Sequence, residues 1–293
     1  MSMKIGWVGT GVMGAPMAGH LQAAGHELFV YNRTVSKVQA LVDGGAVLCG
    51  SPQEVAEHSE VVFSIVGYPA DVESTYLGAG GILAGAKAGS VVVDMTTSEP
   101  ALAKRIHEAA GQQGVDALDA PVSGGDIGAR NAALAIMVGG AAAVFERVKP
   151  LFACMGKNIA HMGPAGAGQH TKMSNQVLIA GTMIGVVESL LYAHRADLDA
   201  DAVIAVIGSG AAGSWSINNL GPRIVKGDFD PGFYIKHFVK DMGIALAEAK
   251  AMRLALPGLA LVNEFYQAAE AQGLGDLGTQ GLYKVLEQLS SAR

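Results

Sequence analysis

Only two of the 293 residues are cysteine, Cys49 and Cys154, and they form neither a CxxC pair nor a disulfide framework. That scarcity fits a reducing compartment. The eight histidines make no HxxxH pair and no His/Cys cluster, so no built-in metal site is expected. Charge is sparse at 16%, and the net value of −6 comes without a concentrated basic patch. Neither nucleic acid nor an anionic membrane is therefore an expected partner. The 40 glycines show no collagen-like period, and there is no internal repeat or low-complexity tract. The apolar run 177–187 is too short to span a bilayer and is closed by Glu188. The stretch up to Gly25 has Lys4 followed by apolar and small residues, yet its glycine spacing and early strand argue against a signal peptide. A soluble, cytoplasmic protein is expected.

Half of the residues are apolar, enough for a sizeable core, and the length suggests about two domains. The opening segment Lys4–Val8 reads as a short buried parallel strand. It runs into Gly9-Thr10-Gly11-Val12-Met13-Gly14, and a helical pattern follows through Met17, Leu21 and Ala24. In such a loop the first glycine permits a tight turn and the second lets a pyrophosphate approach the backbone. The third lets helix and strand pack closely. The helix start then offers free N–H groups to phosphate. A lone GxGxxG is weak; placed between strand and helix at the N-terminus, it points to a dinucleotide.

The next strand, Glu27–Tyr31, ends in Asn32-Arg33-Thr34. An acid about here would hold the ribose hydroxyls of NAD and repel a 2′-phosphate. Asn32 takes that place, and Arg33 behind it can grip a phosphate with a bidentate fork. A preference for NADP(H) is expected, with NAD(H) possible.

Strands are expected at 61–66, 90–95, 115–120, 134–138 and 159–162, with helices between them. In an open parallel sheet, ligands sit beyond the carboxyl ends of the strands. That puts Val66, Gly67, Tyr68, Thr96 and Ser123 on the rim of the glycine loop. Ser98 reads as a helix cap. Ser123-Gly124-Gly125 can present a hydroxyl and backbone N–H groups to a carboxylate.

From about Gln169 to Ala196 runs the longest uninterrupted helical pattern, and beyond it strands are no longer expected. Lys172, Asn175 and Gln176 share one helical face. On spacing alone Lys172 reads as a solvated helix lysine. Further helices are expected at 199–207, 215–224, 237–252, 259–272 and 279–289, and Lys240 and Asp241 read as two solvated charges. The fold class is thus α/β: a doubly wound, mostly parallel sheet over residues 1–164, then an all-α domain over 165–293 that opens with the long helix. By analogy with other alanine-rich helical domains, a homodimer or homotetramer is expected.

Taken together, the residues resemble the β-hydroxyacid dehydrogenase family, the group of 3-hydroxyisobutyrate dehydrogenase and tartronate semialdehyde reductase. The resemblance rests on Gly9-x-Gly11-x-x-Gly14 with Pro16-Met17-Ala18, on Asp119-Ala-Pro-Val-Ser-Gly-Gly125, and on Met137-Val-Gly-Gly140. It also rests on Gly166-x-Gly168-x-x-x-Lys172-x-x-Asn175 and on Lys240-Asp241. It covers nearly the whole chain. The resemblance implies an N-terminal Rossmann domain, with Lys172 as catalytic lysine and Asn175 beside it. It further implies a substrate carboxylate on Ser123, Gly124 and Gly125, Thr96 lining the nicotinamide, and Lys240 near cofactor and substrate. Many members have Asn-Asn where this chain has Asn175-Gln176, and Gly-Thr where it has Ala132-Ala133. The expected reaction passes a hydride between NADP(H) and a small 3-hydroxy acid or its semialdehyde. Lys172 would serve as general acid/base if desolvation or Lys240 lowers its pKa. Reduction of another small carbonyl or an imine, and a non-catalytic NADP-binding module, are the alternatives.

Overall fold

The computed structural model describes residues 2–291; Met1, Ala292 and Arg293, which the expected domain bounds include, lie outside the described residues. The chain divides into two compact units, one up to Lys172 and one from Met173 onward. This division falls inside the helix Ala167–Arg195 rather than at the glycine-proline link before it. The first helical turns carry hydrogen bonds back to the sheet, which is why they belong to the first unit.

Among the described residues of the first unit, the strands are β1 (Lys4–Val8), β2 (Glu27–Tyr31), β3 (Val47–Leu48), β4 (Val61–Ser64) and β5 (Val91–Asp94). They continue as β6 (Asp116–Asp119), β7 (Val122–Ser123), β8 (Leu134–Gly139) and β9 (Gly156–Gly163). Strands β3-β2-β1-β4-β5-β6 are parallel neighbours. The sheet then changes direction. Asp119 pairs with Gly139, Val122 with Ile136 and Ser123 with Ala135, all antiparallel. These pairs share one register, so β7 prolongs β6 along the same edge of β8, past the bend at Pro121. Strand β9 runs parallel to β8. Ser123 is thus the end of a strand carried beyond the parallel strands.

Period-two alternation divides the sheet's side chains between two cores. Ile5, Trp7, Leu28, Val30, Phe63 and Val93 join Met17, Leu21 and Phe152 in one. Val8, Phe29, Val62 and Val92 join Val55, Tyr76 and Ile106 in the other. Helices therefore cover both faces, as near-continuous apolar strands require. The mostly parallel, doubly wound sheet expected from the sequence is observed.

The second unit is helical, and its described β content is an isolated bridge between Tyr234 and Gly278. Its core gathers Met183, Val187 and Leu190 of the long helix with Phe238, Met242, Tyr266 and Leu282. Tyr266 packs edge-on against Phe238 at 5.1 Å and donates its hydroxyl to the Thr279 carbonyl at 2.8 Å. The pattern at 215–224 is two short helices, Trp215–Asn219 and Gly221–Val225, because Gly221-Pro222 cannot continue the first. The one expected at 279–289 begins as a 3-10 turn, Thr279–Gly281, before Leu282–Ser291. The 29-residue helix Ala167–Arg195 is long and apolar enough to cross a membrane by length and composition alone. Its Ala180, Met183, Val187 and Leu190 are instead spent on the core of the helical unit.

Candidate active site

In the first unit the glycine loop is held from three sides. The buried Trp7 indole donates to the Gly9 carbonyl at 2.9 Å, and the Gly9 N–H donates to the Tyr31 carbonyl at 2.9 Å. Thr10 N–H donates to Asn32 Oδ1 at 3.0 Å, while Asn32 Nδ2 donates to the Thr34 carbonyl at 2.9 Å. The Asn32 amide is therefore a brace between the glycine loop and the loop after β2, a use that needs both a donor and an acceptor. An aspartate there could not serve Thr34.

The glycines divide by cause. A Cβ on Gly14 would be driven into the Gly9 carbonyl, and one on Gly9 into the Ile65 carbonyl. A Cβ on Gly11 would meet nothing within 4 Å. The protein's own packing demands the first and third glycines but not the second, which lies open to a ligand. Val12 beside it is exposed, and the Thr10 hydroxyl is buried without a hydrogen-bond partner. The helix that follows, Gly14–Ala23, has Met13 at its N-cap and no side-chain cap. Its Ala15 N–H is already bonded to the Gly11 carbonyl at 3.0 Å and Pro16 has no N–H, so a phosphate here would be met by the N–H groups of the loop and of Gly14. These residues fit the pyrophosphate of a dinucleotide.

Arg33 is 87% exposed and reaches one carboxylate oxygen of Asp71 at 3.4 Å. The other oxygen of Asp71 accepts the Tyr68 N–H at 3.1 Å. Along the rim, Thr96 Oγ1 accepts the Val66 N–H at 2.9 Å, and Thr96 N–H donates to Asp94 Oδ1 at 3.0 Å. Ser98 does not cap the next helix. That place belongs to Glu99, and Ser98 is buried, its N–H directed to Gln169 at 3.0 Å. Ser123 is followed by Gly124 and Gly125 at φ of +130° and +61°. Two successive left-handed residues turn the backbone sharply after the Ser123 hydroxyl, a turn other residues make only with strain. Lys172 is 7% exposed, which overturns the solvated-lysine reading.

In the second unit, Asn175 Nδ2 donates to Gln176 Oε1 at 2.7 Å, and Gln176 Nε2 donates to Asp241 Oδ2 at 2.5 Å. Lys240 Nζ lies 3.1 Å from Asp241 Oδ1, with side-chain exposures of 12% and 1%. Lys240 and Asp241 are thus not two solvated charges but a buried ion pair. Neighbours in sequence do not face each other across a helix, yet a long lysine side chain can fold back onto the adjacent carboxylate. Asp241 accepts only, so it sets the direction of the whole chain of bonds. Both ends of the Gln176 amide are consumed, and the Asn175 carbonyl oxygen stays available. Ser214 and Asn218, further polar residues of the helical unit, are spent locally on the Ile217 N–H and the Gly208 carbonyl.

The sequence reading missed Asp94 and the bracing role of Asp241. Asp94 closes the run Val91-Val92-Val93, and an acid ending an all-apolar strand was the available signal. Burial pushes its carboxyl up to about 6, partly offset by hydrogen bonds from Thr96 and Ser64, with a smaller push from Asp119 on the neighbouring strand. Burial raises Asp119 as well, against backbone hydrogen bonds that pull it down.

Residues 4–163 match the NAD binding domain of 6-phosphogluconate dehydrogenase, and residues 166–286 the NAD-binding domain of NADP-dependent 3-hydroxyisobutyrate dehydrogenase. A probable 3-hydroxyisobutyrate dehydrogenase-like protein of Arabidopsis thaliana, assigned to mitochondria, is 54% identical over 98% of this chain and 86% of its own length. The 2-hydroxy-3-oxopropionate reductase of Escherichia coli K12 is 40% identical over 99% of each chain. The chain belongs to the β-hydroxyacid dehydrogenase family. It is an NAD(P)-dependent hydroxyacid dehydrogenase. The solved structure of Mycobacterium tuberculosis 3-hydroxyisobutyrate dehydrogenase with L-serine superposes with a TM-score of 0.89 at 29% identity, covering 98% of this chain and 99% of that one. Its fold, like that of this chain, places a helical unit after a nucleotide-binding one.

Gly11→Ala should leave the melting temperature within about 1 °C while weakening dinucleotide binding at least about tenfold, because only the ligand meets the new methyl. Gly14→Ala should instead lower stability, and a melting curve with a cofactor titration separates the two. The raised Asp94 has a second consequence. From its ordinary 3.8 up to about 6, the folded protein holds a proton the unfolded chain has released, so stability falls as pH rises through that window. Asp94→Asn should flatten the melting temperature between about pH 4 and pH 6; an unchanged slope would contradict the assignment.

Proposed function

We propose that this protein is an NADP(H)-preferring reductase or dehydrogenase acting on a small 3-hydroxy acid or its semialdehyde. The observation that carries this reading is Lys172, a lysine buried to 7% exposure at the start of a long helix. A lysine withheld from water is there for chemistry more readily than for solubility. When bound, the nicotinamide supplies or accepts the hydride. Ser123 and the N–H groups of Gly124 and Gly125 hold the substrate carboxylate. Lys172 protonates the carbonyl oxygen in reduction and takes the hydroxyl proton in oxidation. Asn175, whose carbonyl oxygen is uncommitted, meets the substrate hydroxyl, and Gln176 braces it.

The cofactor preference rests on the loop after β2. Asn32 carries no charge to repel a 2′-phosphate, and Arg33 stands in solvent, paired with Asp71. A surface pair of that kind is worth little, about 0–1 kcal/mol, so a phosphate competes for Arg33 readily. Lys240, held by Asp241, adds a cation near the substrate. A cytoplasmic homo-oligomer, dimer or tetramer, completes the proposal, and light scattering on the purified protein tests the assembly.

The deciding assay is NADPH oxidation, with NADH in parallel, against succinic, methylmalonic and tartronic semialdehydes and glyoxylate. Turnover is expected with NADPH, and none with any of them would remove the reaction class. Lys172→Ala should lose about 10²–10⁴-fold in kcat while still binding cofactor; near-normal turnover would end its role. Arg33→Ala should cost about 1.5–3 kcal/mol of NADPH binding with NADH little changed. An unaltered NADPH/NADH ratio would refute the cofactor preference.

A further inference from the structure

The helix that carries Lys172 is not capped by a residue of its own. The carboxylate of Asp119, at the end of β6, accepts the Gly166 N–H on Oδ1 at 2.7 Å and the Gln169 N–H on Oδ2 at 2.8 Å. The Gly168 N–H beside them also favours the charged form of this carboxyl. A buried anion facing unsatisfied N–H groups at a helix start is a strong anchor. The approach is close: a Cβ on Gly139 would come 2.7 Å from the Gly168 nitrogen, and one on Gly168 would be driven into the Met137 carbonyl.

Gln169 extends this anchor to the rim of the sheet. Its side chain is fully buried, with Nε2 donating to the Thr96 carbonyl at 2.7 Å and Oε1 accepting the Ser98 N–H at 3.0 Å. Thr96 in turn holds Val66 and is held by Asp94. One continuous run of hydrogen bonds therefore joins the ends of β4, β5 and β6 to the helix, three residues before Lys172. The position demands a donor and an acceptor on one side chain of this length. Glutamate lacks the donor and methionine lacks both, leaving buried backbone groups of Thr96 and Ser98 unpaired.

We propose that Gln169 is a positioning residue: it sets the spacing between the Thr96–Ser98 loop and the helix turn bearing Lys172, so its loss lowers turnover and spares cofactor affinity. This inference rests on the catalytic reading of Lys172 given above. Small errors of placement are costly, since about 1 Å of displacement can cost on the order of 10²-fold in rate.

The test compares Gln169→Met, Gln169→Glu and Lys172→Ala with the wild-type protein. Amide hydrogen exchange on the cofactor-free protein reads the clamp directly. Ser98 should exchange at least about tenfold faster in Gln169→Met, and less so in Gln169→Glu, which keeps an acceptor for it. In Gln169→Met, kcat should fall about tenfold or more, with the Kd for NADPH, read by its fluorescence, within about threefold of wild type. Gln169→Glu decides the same points if the methionine variant does not fold. Wild-type kcat alongside a released Ser98 overturns the inference, as does a loss of NADPH affinity equal to the loss of kcat. An inactive Lys172→Ala beside a fully active Gln169→Met sinks this proposal alone. Full activity in Lys172→Ala, or no turnover by wild type, sinks the parent reading and this one with it.

Discussion

A carboxylate withdrawn from water must be repaid in hydrogen bonds, and Asp119 is repaid by the N–H groups of Gly166 and Gln169, just before and within the first turn of a 29-residue helix. Much else in the first unit follows from that exchange. The helix must start where β6 ends, so the loop from 163 to 166 is short, and the end of β8 and the first helical turn are stripped of side chains at Gly139 and Gly168. Lys172 is then fixed relative to the sheet by geometry set one turn earlier. Asp94, the register partner of Asp119 on β5, is buried at the same rim and holds Thr96. Two acids side by side raise each other's cost of ionisation, and the fold accepts that cost in return for a rigid rim.

The same logic recurs with amides. Asn32 ties the glycine loop to the loop after β2, Gln169 ties Thr96 to the helix, and Gln176 ties Asn175 to Asp241. An amide joins a donor to an acceptor without net charge, so it can be buried without the desolvation cost of an ion. In the last case the acceptor-only carboxylate of Asp241 settles which way both amides point. The departure of this chain from the Asn-Asn of many relatives then has a physical meaning. The longer Gln176 reaches the carboxylate, and Asn175 keeps an oxygen for other work.

Short apolar strands, the helical patterns between them and the glycine loop made the doubly wound sheet legible in the sequence, because each rests on short-range stereochemistry. The strand bounds Lys4–Val8 and Glu27–Tyr31 could be read directly. The direction change at β8 could not, since an apolar strand looks the same whether its neighbour runs parallel or antiparallel. Neither could the ion pair of Lys240 and Asp241, because adjacent helical residues ordinarily face apart and nothing local tells whether both are buried. Ser98 was misread for a similar reason: a hydroxyl before a helix is usually a cap, and here a glutamine 71 residues away takes its N–H.

The sequence by itself determined the order of elements, the glycine loop at the first strand and the residue types offered at each strand end. These depend on neighbours a few positions apart, where backbone sterics and periodicity act. Tertiary structure alone decided which polar residues are buried and what each one bonds. Thr96, Asp119 and Gln169 are far apart in the chain, and their hydrogen bonds exist only once the strand ends and the helix start have been brought within hydrogen-bonding reach of Gln169.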